Sequence, residues 1–189
     1  IPRAHLLQIS EQLEQWTAAN SGFETSRTYV SLSHAWMPPE QLLKTYTHGF
    51  EDSHLIRLRC YKGYQMERDM LDRMARTFGS RINIGVTISA FNNLVQGHPE
   101  GEFDEDYYFD CKSVPLDAHL PETRLPSKVF YQMQAYTLYG KRRKAIVIYE
   151  SRESGIIRDY LVTPVRTVQA RIDENYKTVV QQILKQNAA

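Results

Sequence analysis

Four residues, Glu67, Glu100, Asp110 and Lys112, have side chains that can do chemistry together if the chain brings them to one place. Asp110 and Lys112 belong to the run Tyr107-Tyr108-Phe109-Asp110-Cys111-Lys112-Ser113-Val114, whose aromatic and apolar residues predict a strand. Alternate side chains of a strand share a face, so Asp110 and Lys112 emerge side by side while Phe109, Cys111 and Ser113 take the other face. Opposite charges at a sheet face are costly unless paired or bound to something, which points to a shared site. Glu100, in His98-Pro99-Glu100-Gly101, stands at the end or bend of the preceding strand, ten residues before Asp110. If the two strands pair, Glu100 and Asp110 converge as two hard oxygen ligands of the kind magnesium prefers. Asp104 is a rival for the first acid and sits closer in sequence to Asp110.

These groups need elements to hold them. Met66, Met70, Met74 and Phe78 recur every four residues and predict an amphipathic helix that starts after Asp52 or Ser53 and ends near Phe78. Glu67 borders its buried stripe, where a carboxylate needs a partner. A second helix is predicted between Pro126 and Gly140, with a proline-led start and a glycine stop. Gln132 and Tyr136, four apart, share one of its faces. Lys141-Arg142-Arg143-Lys144 follows as a compact cationic turn, and Arg124 and Lys128 precede the helix. Such cations either contact phosphates or are solvated charges at a helix C-terminus.

Taken in order, these residues resemble the PD-(D/E)XK nuclease superfamily. Pro99-Glu100 stands where the family has its proline and first acid, although that acid is usually aspartate, and Asp110-Cys111-Lys112 stands where it has (D/E)XK. Gly63 and Glu67 are similar to the Gly-x-x-x-Glu motif of the lambda exonuclease and RecB-like branches, where the glutamate points towards the metal site. Gln132 and Tyr136 match the Gln-x-x-x-Tyr motif of RecB-like nucleases, and Gln132 with Gln134 resembles the corresponding helix of lambda exonuclease and YqaJ-type recombinases. The resemblance covers Gly63 to Tyr136.

The resemblance implies an α/β fold with a restriction-endonuclease-like core, a central mixed five-stranded sheet flanked by helices. It implies a metal-dependent deoxyribonuclease, an exonuclease rather than an endonuclease, acting in recombination, repair or phage DNA processing. Glu67, Glu100, Asp110 and the Cys111 backbone carbonyl would hold Mg2+, with Mn2+ as a substitute. Lys112, its pKa lowered beside the metal, would orient or deprotonate the attacking water or stabilise the phosphorane. Gln132 would orient the water or the lysine, and Tyr136 would pack beside the site or touch DNA. Lys128, Lys141, Arg142, Arg143 and Lys144 would contact the DNA backbone. DNA is the implied partner, and a homo-oligomer and a single-strand annealing or recombination protein are compatible with it. The alternatives are a non-catalytic nucleic-acid-binding or assembly module on the same fold and a restriction-type or structure-specific endonuclease.

Composition sets the bounds. At 189 residues, with 42% hydrophobic and 24% charged residues, the chain suits a single domain, residues 1–50 forming an N-terminal helical addition and 51–189 the catalytic core. No run is long enough to span a membrane and none is signal-like, so an intracellular setting is expected. Two cysteines, Cys60 and Cys111, are too few for a zinc or iron-sulfur cluster. A formal charge of +1 is less basic than nucleic-acid binding usually requires, but acids that ligate divalent ions are part of such a site.

The remaining elements follow from periodicity. Leu6, Ile9, Leu13 and Trp16 suggest a first helix, residues 28–32 an extended segment, and Leu42, Leu43 and Tyr46 a short helix. Residues 82–89 alternate as one half-buried strand, and residues 94–101 form the next, followed by an acidic turn at 102–106. Residues 145–150 and 156–162 form a hairpin, and Val165 to Ile183 a final helix introduced by Pro164.

Overall fold

The computed structural model describes residues 3–20, 28–49 and 53–188. In chain order these form helix α1 (Arg3–Ala19), strand β1 (Val30–Ser31), α2 (Pro39–His48), α3 (His54–Phe78), β2 (Ile82–Ile84), β3 (Ile88–Ala90), β4 (Val95–Gly97), β5 (Gly101–Phe103), β6 (Tyr107–Val114), α4 (Ser127–Tyr139), β7 (Lys144–Ser151), β8 (Ile157–Val162) and α5 (Arg166–Asn187). Five strands make a mixed sheet in the order β2-β5-β6-β7-β8. Within this sheet, among the described residues, only β6 and β7 run parallel, because α4 carries the chain back between them.

The eight-residue strand β6 is the centre of this sheet, and its period of two decides which helix meets which residue. Phe109 and Cys111 pack with Met70 and Met74 of α3 on one face. Tyr108 packs with Met133 and Tyr136 of α4 on the other, in the main core that also takes Ile172, Tyr176 and Val179 of α5. Ser53 caps α3, its Oγ accepting from the Ile56 amide at 3.3 Å, and Gly79 at φ 56° ends it. The buried guanidinium partner Glu150 on β7 ties Arg73 of α3 to the sheet, while Asp69 holds the same arginine at 3.1 Å. The helix that carries Glu67 is therefore anchored at its C-terminal half.

The strand predicted over residues 82–89 is two strands. Gly85 at φ 77° breaks the alternation, a conformation that residues with a Cβ rarely adopt, and the chain leaves the large sheet there. Ile88–Ala90 pairs instead with β4, which also pairs in parallel with β1, making a second, three-stranded sheet. The expected strand over 94–101 divides in the same way into β4 and β5. Glu102, expected in an acidic turn, is a buried residue of β5. Alternation reports which face a residue takes and cannot report that the chain has changed sheets.

The N-terminal segment supplies α1 and α2 and also β1, whose Val30 is buried in the main core with Leu32 and Leu42. Tyr176 of α5 donates to the Ser31 carbonyl at 2.8 Å. Leu13 and Trp16 of α1 are largely exposed, and the Trp16 ring meets Tyr61 edge-on at 6.0 Å. The Leu6 and Ile9 side chains lie outside the described residues, as does Asp52. Among the described residues no helix is long and apolar enough to cross a membrane.

Gln134 shows how polar a core residue can be when its partners are fixed. Its Nε2 donates to the Thr163 carbonyl at 2.7 Å and its Oε1 accepts from the Val165 amide at 2.8 Å, so one side chain holds the approach to α5. Gln134→Ala is expected to cost about 2 kcal/mol, because it strands two backbone groups as well as opening space. Chemical denaturation measures this; an unchanged midpoint would exclude the clamp.

Candidate active site

Asp110 and Lys112 emerge on the α4 face of β6, as the strand period requires. Lys112 Nζ lies 2.5 Å from Asp110 Oδ2, and the carboxylate is buried while the lysine is about one quarter exposed. Gln132 donates from Nε2 to Asp110 Oδ1 at 3.3 Å and to the Tyr136 hydroxyl at 2.9 Å. The one-turn spacing on α4 thus lets one amide join the strand to the helix interior. Burial pushes the Tyr136 hydroxyl well above its ordinary value, so it is a neutral packing and accepting group.

Glu100 arrives from the next strand. Gly101 stands opposite Phe109 at the start of the antiparallel β5–β6 pair, so Glu100 enters β5 at the level where β6 continues into Asp110. Its pKa is pushed up to about 7, first by burial and then by the charges of Glu67 and Asp110, against a smaller opposing effect of Lys112. Glu67, one turn before Met70 on α3, completes the group where β2 and β5 end. Burial raises its pKa, Lys112 opposes the rise and Asp110 adds to it. These mutual effects place Glu67, Glu100, Asp110 and Lys112 in one electrostatic neighbourhood.

The sequence expectation of a lowered Lys112 pKa belongs to the metal-bound site, and the chain's own groups act in the other direction. Burial alone would favour the neutral amine, but the Asp110 carboxylate in contact with it, and Glu67 beyond, outweigh burial and raise its pKa. The chain's own charges therefore favour the ammonium form of Lys112, which is suited to stabilising negative charge.

A divalent metal fits this donor set. Asp110 Oδ2 is buried and makes no hydrogen bond of acceptable geometry, its contact with Lys112 being an ion pair. Glu100 and Glu67 are half-buried carboxyls whose pKa values are raised first by burial, which a bound cation would offset. Among the described residues no three His, Cys, Asp or Glu side chains converge closely enough to cage an ion by themselves. A site here would draw on two carboxylates, a backbone carbonyl and solvent, the mixed oxygen shell that magnesium takes. The Cys111 thiol is buried among methionines with its pKa raised, first by burial, so only its backbone carbonyl is available as a ligand.

Asp104 is placed elsewhere. It caps the β5–β6 turn at φ 50° and forms a two-pronged pair with Arg81 at 2.6 and 2.8 Å, which lowers its pKa through those hydrogen bonds. Glu100 is the acid that the register brings to the level of Asp110.

The basic residues have varied surroundings. Lys128 Nζ sits 4.5 Å from the centre of the Trp36 ring, and Lys144 Nζ 5.6 Å from that of Tyr107. Lys141 and Arg143 are exposed, and the Lys141 amide donates to the Tyr108 hydroxyl at 2.7 Å. Lys144 pairs with Tyr107 in register, three positions and about 10 Å along the sheet from Asp110. Arg142, expected to contact DNA, instead donates to both oxygens of Glu102 at 2.9 Å and to the Glu105 carbonyl at 2.8 Å. A buried acid competes for its guanidinium, a pairing that a run of four cations could not reveal.

That pair makes a stability prediction. The Arg142 hydrogen bonds hold Glu102 below the usual glutamate value, so the pair's contribution is complete above pH 4.5 and drains away as pH falls below it. Arg142→Ala, which leaves Glu102 buried with Asn83 at 3.1 Å, is expected to cost about 2 kcal/mol at neutral pH. The loss should shrink towards pH 3. Equal destabilisation of both proteins across that range would contradict it.

Sequence reasoning did not find the cleft that adjoins this group. Tyr64, Arg68 and Leu71 of α3 line it with Glu67, facing Ile84, Val86, His98, Pro99 and Glu100. The signal was present: Tyr64, Arg68 and Leu71 lie three or four positions from Glu67 or from one another, on its side of the helix.

No family model and no curated protein matches the chain. Solved structures do. The alkaline exonuclease LHK-Exo from Laribacter hongkongensis is 13% identical with a TM-score of 0.60, over 93% of this chain and 98% of that one. Its complex with dAMP gives 14%, 0.64, 92% and 93%. A phage-related exonuclease from Haemophilus somnus is 12% identical with a TM-score of 0.55, over 78% and 81% of the two chains. The chain thus has the fold of these solved exonucleases.

Proposed function

We propose that this protein is a metal-dependent deoxyribonuclease, acting as an exonuclease on DNA ends in recombination, repair or phage DNA processing. The observation that carries the reading is the contact of Asp110 with Lys112 and Gln132, with Glu100 one position beyond the Gly101–Phe109 pair that precedes Asp110. Glu100, Asp110 and the Cys111 carbonyl would hold Mg2+, or Mn2+ in its place, with Glu67 binding a second ion or its water shell. When bound, the ion supplies Lewis-acid polarisation of a phosphoryl oxygen and a more acidic water.

The chain's own residues supply the rest. Lys112, kept as an ammonium, faces the negative charge that grows on the phosphoryl oxygens during displacement. Gln132 holds Asp110 through Oδ1, which fixes the direction of the other carboxylate oxygen. Tyr136 backs that amide from the core. Lys128, Lys141, Arg143 and Lys144 offer cations to the flanking backbone of DNA, while Arg142 is committed to Glu102. A homo-oligomer or an annealing partner is compatible with this arrangement.

The test is incubation of the purified protein with end-labelled linear DNA and closed circular DNA, in Mg2+, Mn2+ or EDTA. Metal-dependent loss of linear DNA alone is the expected result. Cutting of circles would make it an endonuclease, and DNA binding without cleavage in any metal would overturn the enzymatic reading.

A further inference from the structure

Strand β8 ends the large sheet, so one side of its backbone meets no strand among the described residues. The Ser151 amide donates to the Ile156 carbonyl at 3.0 Å. Alternation along the ladder from that bond turns the amides and carbonyls of Arg158, Tyr160 and Val162 towards β7, and those of Ile157, Asp159 and Leu161 outward. The side chains of these three outward residues lie on the α3 face, because Asp159 and Leu161 pair with Ile148 and Ile146, which pack beside Phe109 and Met70. The helix leaves them uncovered. Between it and the strands is an apolar groove of about 380 Å³ lined by Met74, Phe78, Phe103, Ile146, Ile148 and Ile157. Ile157 and Leu161 are 51% and 58% exposed. A second, open trough of about 610 Å³ runs along residues 157–160 past Glu122.

We propose that this edge receives an extended segment of a partner protein as an added strand, antiparallel to β8, with a lysine or arginine facing Asp159 and an apolar residue two positions to either side. Open amides and carbonyls on alternate residues are the main-chain template that strand addition uses, and the side chains beside them set its specificity. Here those side chains read apolar, acid, apolar. Asp159 is exposed and makes no ion pair among the described residues, while the cations nearby are engaged elsewhere. Arg158 donates to the Pro121 carbonyl at 3.2 Å, and Arg73 is held by Glu150 and Asp69. Glu122 adds a second acid to the trough, so the edge attracts a basic strand. A second copy of β8 cannot supply the cation. In antiparallel pairing outward residues meet outward residues, so only Ile157, Asp159 or Leu161 of that copy could stand against Asp159, and like charges there would repel. The partner's apolar residue beside Ile157 would close the mouth of the groove and cover surface that a bare edge strand exposes to unwanted pairing. None of these groups belongs to the site at Asp110.

The test is fluorescence anisotropy with a fluorescein-labelled peptide in which valine, lysine and valine alternate with threonine. Saturable binding is expected, about tenfold weaker when glutamate replaces the lysine. Asp159→Lys, a change at an exposed position that circular dichroism should show to be folded, should reverse that preference. Methylating the backbone nitrogens of the valines and the lysine should abolish binding, because those amides point at β8 in an antiparallel pair. Hydrogen exchange at the amides of Ile157, Asp159 and Leu161 should slow when the lysine peptide is bound. Equal binding of the lysine and glutamate peptides, binding that survives methylation, or no binding at millimolar peptide would overturn the docking edge and leave the nuclease reading intact. Self-association of the protein alone, with protection of the same three amides, would also overturn it by giving the edge to a second copy. Charge-dependent peptide binding by a protein that cuts no DNA would keep the docking edge and remove the nuclease reading.

Discussion

Lys112→Ala is expected to reduce DNA cleavage by about a thousandfold or more while the protein stays folded. Removing one positioned donor from a developing anion costs on the order of 10² to 10³ in rate. Here the same change also removes the cation in contact with Asp110, so the carboxylate left behind keeps only the 3.3 Å hydrogen bond from Gln132. The donor set is then left with an unpaired buried carboxylate where the ion pair stood. Lys112→Arg should not restore activity, because a planar guanidinium cannot occupy the place of a compact ammonium 2.5 Å from Oδ2. Circular dichroism and a thermal melt should show the native fold in both variants, since Lys112 is partly exposed and belongs to neither packed cluster. Wild-type cleavage rates in Lys112→Ala would remove Lys112 from the mechanism.

The second large effect is on stability and comes from a residue with no side chain. Gly101 is the point at which β5 passes between β2 and β6, paired with Ile84 on one side and Phe109 on the other. A Cβ there would lie 2.7 and 2.8 Å from atoms of the Phe109 ring and would also overlap the Asn83 carbonyl oxygen. Backbone cannot yield as a flexible side chain can, and Phe109 is fully buried against Met70 and Met74. Gly101→Ala is expected to cost about 3 kcal/mol, at the upper end of overpacking effects. Because Glu100 and Glu102 flank it, the shift would also move the carboxyl at the level of Asp110 and the acid paired with Arg142. Loss of cleavage should therefore exceed what the unfolded fraction explains at a temperature where the variant is still folded. A variant as stable as wild type would show that the β5–β6 spacing is looser than the packing indicates.

Much of the site was legible before the fold. Strand periodicity alone puts Asp110 beside Lys112, and helical periodicity alone puts Gln132 over Tyr136, because both depend on geometry fixed within a few residues. The methionine stripe likewise forecast the face on which α3 packs and hence the edge on which Glu67 stands. The choice between Glu100 and Asp104 was not legible. It depends on β5–β6 register, a relation between strands that a one-residue shift would reverse. The roles of Arg142 and Gln134 were hidden for the same reason, since each is set by a partner about thirty or forty positions away.

By itself the sequence determined the chemistry available and its order along the chain: two acids and a lysine on neighbouring strands, a glutamate on the helix before them and a glutamine on the helix after. Only the tertiary structure decided which acid meets Asp110, that Lys112 is held charged, and that the chain changes sheets at Gly85 to open a cleft onto the acids. Local propensity acts over one turn or one strand. Register, desolvation and the competition of distant charges are properties of the packed molecule.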